Sequence, residues 1–150
     1  MISVKPVPLD LTGLTFNSVN LNSKFVSFEK TRLMIPSSEQ IISAFEAKQA
    51  HSVNPQYTLL ITSKNVIIAR FEDALIHTSD SKFSPRNNTE DYFFFPYSDI
   101  NSITVALSTT LSGPGNNLFL HTKSMDTIPL HFANKKDVLP TAAEIRKYLP

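Results

Sequence analysis

Several short runs of the chain alternate polar and apolar side chains with a period of two, the pattern of strands with one buried face. Tyr57-Thr58-Leu59-Leu60-Ile61-Thr62 and Asn65-Val66-Ile67-Ile68-Ala69-Arg70-Phe71 are β-branched and aliphatic runs around the polar Ser63-Lys64-Asn65. They predict a hairpin with a tight turn. Tyr92-Phe93-Phe94-Phe95 is a continuous apolar run, as expected where both faces of a strand are covered. Pro96 cannot donate to a ladder and ends that run, and Tyr97-Ser98-Asp99 supplies turn chemistry. Alternation then resumes, with Ile103, Val105 and Leu107 facing one way and Ser102, Thr104 and Ala106 the other. The three phenylalanines end one strand, and the proline marks a corner into the next.

A second strong turn, Gly113-Pro114-Gly115-Asn116, precedes another hairpin made of residues 117–122 and 127–132. Pro129 in its second run suggests an edge strand. Near the end, Asp137 can cap a helix whose first turn holds Pro140, and Val138, Ala142, Ile145 and Leu149 share one face of it. Residues 37–50 are ambiguous. As a helix they have a Ser cap with Gln40 three residues beyond Ser37; as a strand they place Ile41, Ser43, Phe45 and Ala47 on one face. Local pattern slightly favours the helix. Residues 72–91 contain Pro85, Asn87 and Asn88 among many charges and read as a long polar loop. Residues 1–36 fit neither a clean helix nor a clean strand. Their Leu, Val and Phe side chains should pack on the main body as an N-terminal arm, beside a main domain over residues 37–150.

Composition narrows the function classes. The 150-residue chain is long enough to bury a real core, with 41% hydrophobic and 18% charged residues. A net charge of +1 disfavours duplex nucleic acid as a partner. With no cysteine, disulfides, thiolate zinc sites and cysteine nucleophiles are excluded. No window is apolar enough for a membrane span, and the N-terminus lacks a secretory pattern, so a cytoplasmic location is expected.

Ser38-Glu39-Gln40-Ile41-Ile42, then Leu59-Leu60-Ile61-Thr62-Ser63-Lys64-Asn65-Val66-Ile67, then Phe95-Pro96-Tyr97-Ser98-Asp99-Ile100-Asn101-Ser102-Ile103 precede a hairpin and a closing helix. This order resembles the bacterial pleckstrin-homology-like and GRAM-like domains over residues 37–149. The resemblance implies that residues 40–48 are the first strand. It implies a mainly β fold: a pleckstrin-homology-like barrel of two packed antiparallel sheets, about seven strands, closed by one C-terminal helix.

Candidate chemistry is sparse. His51, His77, His121 and His131 are scattered. Symmetric pairing about the last turn sets His121 opposite Ile128 and His131 opposite Leu118, so these two are not neighbours, and no metal site is expected. Glu72-Asp73 and Glu90-Asp91 are adjacent pairs that would point to opposite faces of a strand and make no acid/base dyad. Gly113-Pro114-Gly115 lacks the lysine of a phosphate loop, and no nucleophile elbow occurs. No catalytic residue and no cofactor is expected. In pleckstrin-homology-like folds the first–second, third–fourth and sixth–seventh strand loops gather at one open end. Here they carry Lys48 and His51, Lys82 and Arg86, and Lys123, which together could meet a phosphate or an acidic surface. The lipid-binding members resemble a denser basic pattern with Arg or Lys on the second strand, and Tyr57-Thr58-Leu59-Leu60 has none. The expectation is a non-enzymatic binding module with a protein partner. The alternative is peripheral attachment to anionic lipid membranes through the basic loops, and a small hydrolase is the third reading.

Overall fold

Two antiparallel sheets pack across a shared core in the computed structural model, which describes residues 11, 13–49, 56–70, 92–108, 115–124 and 127–150. The first sheet has the order β1-β2-β3-β4-β5, from β1 (Leu14–Ser18), β2 (Ile41–Gln49), β3 (Tyr57–Thr62), β4 (Asn65–Arg70) and β5 (Tyr92–Pro96). The second has the order β6-β7-β8, from β6 (Ile100–Ala106), β7 (Asn117–Thr122) and β8 (Ile128–His131). Helix α1 (Lys24–Arg32) connects β1 to β2, helix α2 (Lys135–Arg146) follows β8, and a 3-10 turn at Tyr97–Asp99 makes the corner between the sheets.

This architecture corrects the expected barrel. Among the described residues neither sheet closes on itself, eight strands replace about seven, and two helices replace the single C-terminal one. The additional elements come from residues 14–32. Leu14 and Phe16 point into the core, and the strand they form runs along β2 from Leu14↔Gln49 to Ser18↔Phe45. On its other side β1 meets the second sheet at the isolated bridge Phe16↔Phe132, with a 2.9 Å bond from the Ala133 amide to the Phe16 carbonyl. That contact is a clasp of one residue pair, not a ladder.

Ser23 starts α1 by accepting the Val26 amide at 3.3 Å. The helix ends with Met34 in the left-handed region, φ 54°. The Met34 amide donates to the Thr31 carbonyl at 3.1 Å and the Ile35 amide to the Lys30 carbonyl at 3.0 Å, the paired bonds of a Schellman ending. The helix covers one face of the first sheet, where Val26, Leu33 and Ile35 pack with Ala44, Leu60, Ile67 and Ala69. The opposite face carries Phe45, Leu59, Ile61, Val66 and Ile68 into the main core with Leu118, Leu120, Leu130 and Phe132. Both faces of β3 and β4 are therefore buried, which accounts for their nearly continuous apolar runs.

The ambiguous residues 37–50 contain a strand, Ile41–Gln49, paired on both sides by β1 and β3. Glu39 braces the β3–β4 turn: its carboxylate accepts from the Thr62 hydroxyl and, at 3.0 Å, from the Asn65 amide nitrogen Nδ2. Gln40 and Ser63 complete that junction, the Ser63 amide donating to the Gln40 carbonyl at 2.8 Å. Tyr97, at the corner, donates its hydroxyl to the Thr62 carbonyl at 2.5 Å and stacks on Tyr148 with ring centroids 4.8 Å apart.

In the last hairpin the register is Leu120↔Ile128, Leu118↔Leu130 and Asn117↔His131, one residue from the symmetric pairing expected. In that register Leu118, Leu120, Ile128 and Leu130 all enter the core. Helix α2 begins after Asn134, so Asp137 lies inside its first turn and does not cap it. Val138, Thr141, Ala142 and Ile145 are its buried face. No described helix is long and apolar enough to cross a membrane. The long polar connection expected over residues 72–91 lies outside the described residues.

Candidate functional site

Of the five basic-loop candidates, Lys48 and Lys123 are placed, while His51, Lys82 and Arg86 lie outside the described residues. Lys48 is opposite Thr15, near the end of the ladder where Tyr57 pairs with Arg70. Its ammonium is 2.9 Å from the Glu46 carboxylate. Arg70 lies over the Tyr57 ring, 5.9 Å from its centroid. Lys123 is in the β7–β8 turn, where its amide donates to the Asp99 carbonyl at 2.8 Å. Asp99 follows the corner beyond Pro96, and Pro96 pairs with Asn65, at the other end of the first sheet's ladder from Arg70. Lys48 and Lys123 thus belong to different ends of the β4–β5 ladder.

His121 and His131 both face outward from the second sheet. The His121 ring sits between two hydroxyls, Thr104 at 2.9 Å from Nε2 and Thr127 at 2.8 Å from Nδ1. His131 Nδ1 meets the Asn117 side-chain oxygen. Among the described residues no group of three His, Cys, Asp or Glu side chains is placed to hold a metal ion.

A concavity among the described residues lies elsewhere. An open groove of about 530 Å³ runs between α2 and the start of β2. One wall carries Asp137, Pro140, Ala143 and Glu144 of α2 and Lys147 just past its end; the other carries Ser18, Val19 and Leu21 at the end of β1, with residues 42–45 of β2 between them. Residues 42–45 alternate in facing, yet all four line the groove, so what β2 presents there is its backbone edge. That edge is available because β1 departs early. Its ladder ends at Ser18↔Phe45, and a single further bond joins the Val19 amide to the Ala44 carbonyl at 2.9 Å.

The charges of the groove come from α2 and the residue just past it. Lys147 is held by Glu144 at 3.0 Å. Asp137 has no such partner: its Oδ2 is shielded from water and makes no hydrogen bond, and burial pushes its carboxyl above the ordinary carboxylate range. Sequence reasoning missed this site. Asp137 was legible as an acidic residue near a helix start, but the strand edge it faces depends on where β1 stops.

No protein-family model matches the chain, and no curated protein matches it. Among solved structures, the chain is similar to a DUF1696 family protein with a pleckstrin-homology domain from Shewanella loihica PV-4. The two share 16% sequence identity and a TM-score of 0.60, with 89% of this chain and 97% of that chain covered. At this identity the likeness is one of fold. The resemblance read from residues 37–149 is matched at that level, by a protein that carries a pleckstrin-homology domain.

Proposed function

We propose that this protein is a non-catalytic binding module, akin to the bacterial pleckstrin-homology-like and GRAM-like domains, whose partner is another protein. The fold likeness supports a module of this kind, though fold alone does not fix what it binds. The observation that carries the choice of a protein over a lipid is the engagement of cations at the Tyr57–Arg70 end of the ladder. Lys48 is paired with Glu46, Arg70 lies against the Tyr57 ring, and β3 contributes six buried residues without a positive charge. The Glu46 carboxylate beside Lys48 lowers the net positive charge that this end presents to an anionic headgroup.

Affinity capture tests this reading. The full chain, immobilised and presented with an extract of its source cells, is expected to retain a protein in a saturable, stoichiometric complex that withstands a detergent wash. Retention that disappears when detergent removes the membranes would contradict a protein partner.

A further inference from the structure

We propose that the groove between α2 and the edge of β2 receives an extended peptide segment of the partner protein, with a Lys or Arg side chain or a free amino terminus of that segment paired to Asp137. This rests on the reading of the protein as a protein-binding module and names the surface and the chemistry of its ligand. Three independent features converge on it.

The first is the strand edge. Beyond Val19 no described strand covers β2 on that side, so an added strand can continue the first sheet where β1 leaves off. Main-chain bonds to an open edge give affinity without demanding a particular sequence. The second is the lining. Val19, Leu21, Pro140 and Ala143 offer apolar surface to alternate side chains of an extended ligand. The volume of about 530 Å³ lies within the size range of ligand sites.

The third feature selects the charge. The groove holds two carboxylates and one ammonium, and the ammonium is already tied to Glu144. Asp137 is left with an oxygen that has no partner. Among the described residues no cation is paired with the Asp137 carboxylate, and a ligand cation can meet it at the groove. An acidic segment would add a third negative charge and is excluded on the same ground.

Two synthetic peptides, Ac-Val-Lys-Val-Thr-Val-NH2 and Ac-Val-Glu-Val-Thr-Val-NH2, test the inference by amide chemical-shift titration of the full chain. The lysine peptide is expected to move the amides of Ile42, Ser43 and Ala143. The glutamate peptide, and the lysine peptide on Asp137→Asn, are expected to bind roughly tenfold more weakly, the worth of one charged hydrogen bond. No movement of these amides, or equal response to both peptides, overturns the proposal. Ala143→Arg, at an exposed position on the wall, blocks the groove without entering the core. Loss of the captured protein complex in Ala143→Arg supports the groove. A captured complex that Ala143→Arg leaves intact sinks the groove while the binding-module reading stands.

Discussion

Met34 ends α1 at φ 54° with its side chain 67% exposed, so the strain of a left-handed residue is not offset by burial. The left-handed conformation costs an L-residue about 1–2 kcal/mol, and glycine avoids that cost. Met34→Gly is expected to stabilise the protein by about 1 kcal/mol, less than the full strain because glycine gains freedom in the unfolded chain. Urea unfolding at constant m-value checks this. Asp137 is a second residue whose environment opposes its state. Its carboxyl is raised by burial, so the folded form favours the protonated acid. That contribution is fully present at acid pH and is lost as pH rises through the folded pKa. Asp137→Asn should therefore be more stable than the native chain at pH 7, with the difference vanishing below about pH 4, where the native carboxyl is also neutral. The first-turn position of Asp137 works the other way through the helix dipole. Thermal unfolding across pH measures the balance, and a constant difference between the two proteins would contradict it.

At the scale of elements, α1 is fixed by a polar cluster beneath it. Glu29 and Arg32 are buried and joined at 2.5 Å and 3.0 Å, and the Thr58 hydroxyl of β3 donates to the same carboxylate. Breaking one member of a buried pair leaves an uncompensated charge and costs about 3–5 kcal/mol, whereas replacing both by apolar residues is often close to neutral. Glu29→Ala is expected to lose that amount in urea unfolding, and the double variant Glu29→Leu with Arg32→Met to recover most of it. Equal losses in the two would show that the cluster matters by packing alone. The same cluster explains why α1 was illegible in the sequence. Its buried positions are Val26, Glu29 and Arg32, at helical spacing but with two charges where periodicity looks for apolar side chains. By contrast β3, β4 and the Phe95-Pro96 corner were legible, because burial on both faces leaves long aliphatic runs and a proline stops the ladder plainly. Residues 41–49 were ambiguous locally and became a strand through their two ladder partners, which no local pattern contains.

Among the described residues the molecule is two open sheets joined on one side by the 3-10 corner and touching on the other through Phe16 and Phe132. Phe132 is the centre of that contact. Its ring lies 6.2 Å from Phe16 and meets Phe45 edge-on at 5.2 Å. The early departure of β1 after this clasp exposes the β2 edge and makes the groove. A site assembled from the end of one strand, the start of another and a distant helix has no motif of its own, so the sequence showed its parts and not their meeting. The basic loop residues show the reverse case: their charge is plain in the sequence, while Lys48 and Lys123 fall at different ends of the β4–β5 ladder.

A protein partner in preference to a membrane is the central claim, and co-sedimentation with phosphatidylserine-containing vesicles tests it most directly. If Lys48, Lys82, Arg86 and Lys123 met such a surface together, each would contribute about 1 kcal/mol, roughly a thousandfold in partition at low salt. That attraction would weaken as the screening length shortens to about 8 Å at physiological salt. The expected result is a protein that stays in the supernatant at physiological ionic strength, whether native or with Lys48→Ser, Lys82→Ser, Arg86→Ser and Lys123→Ser combined. Strong, salt-sensitive sedimentation of the native chain, abolished by the combined substitution, would contradict the account and assign the protein to the membrane surface.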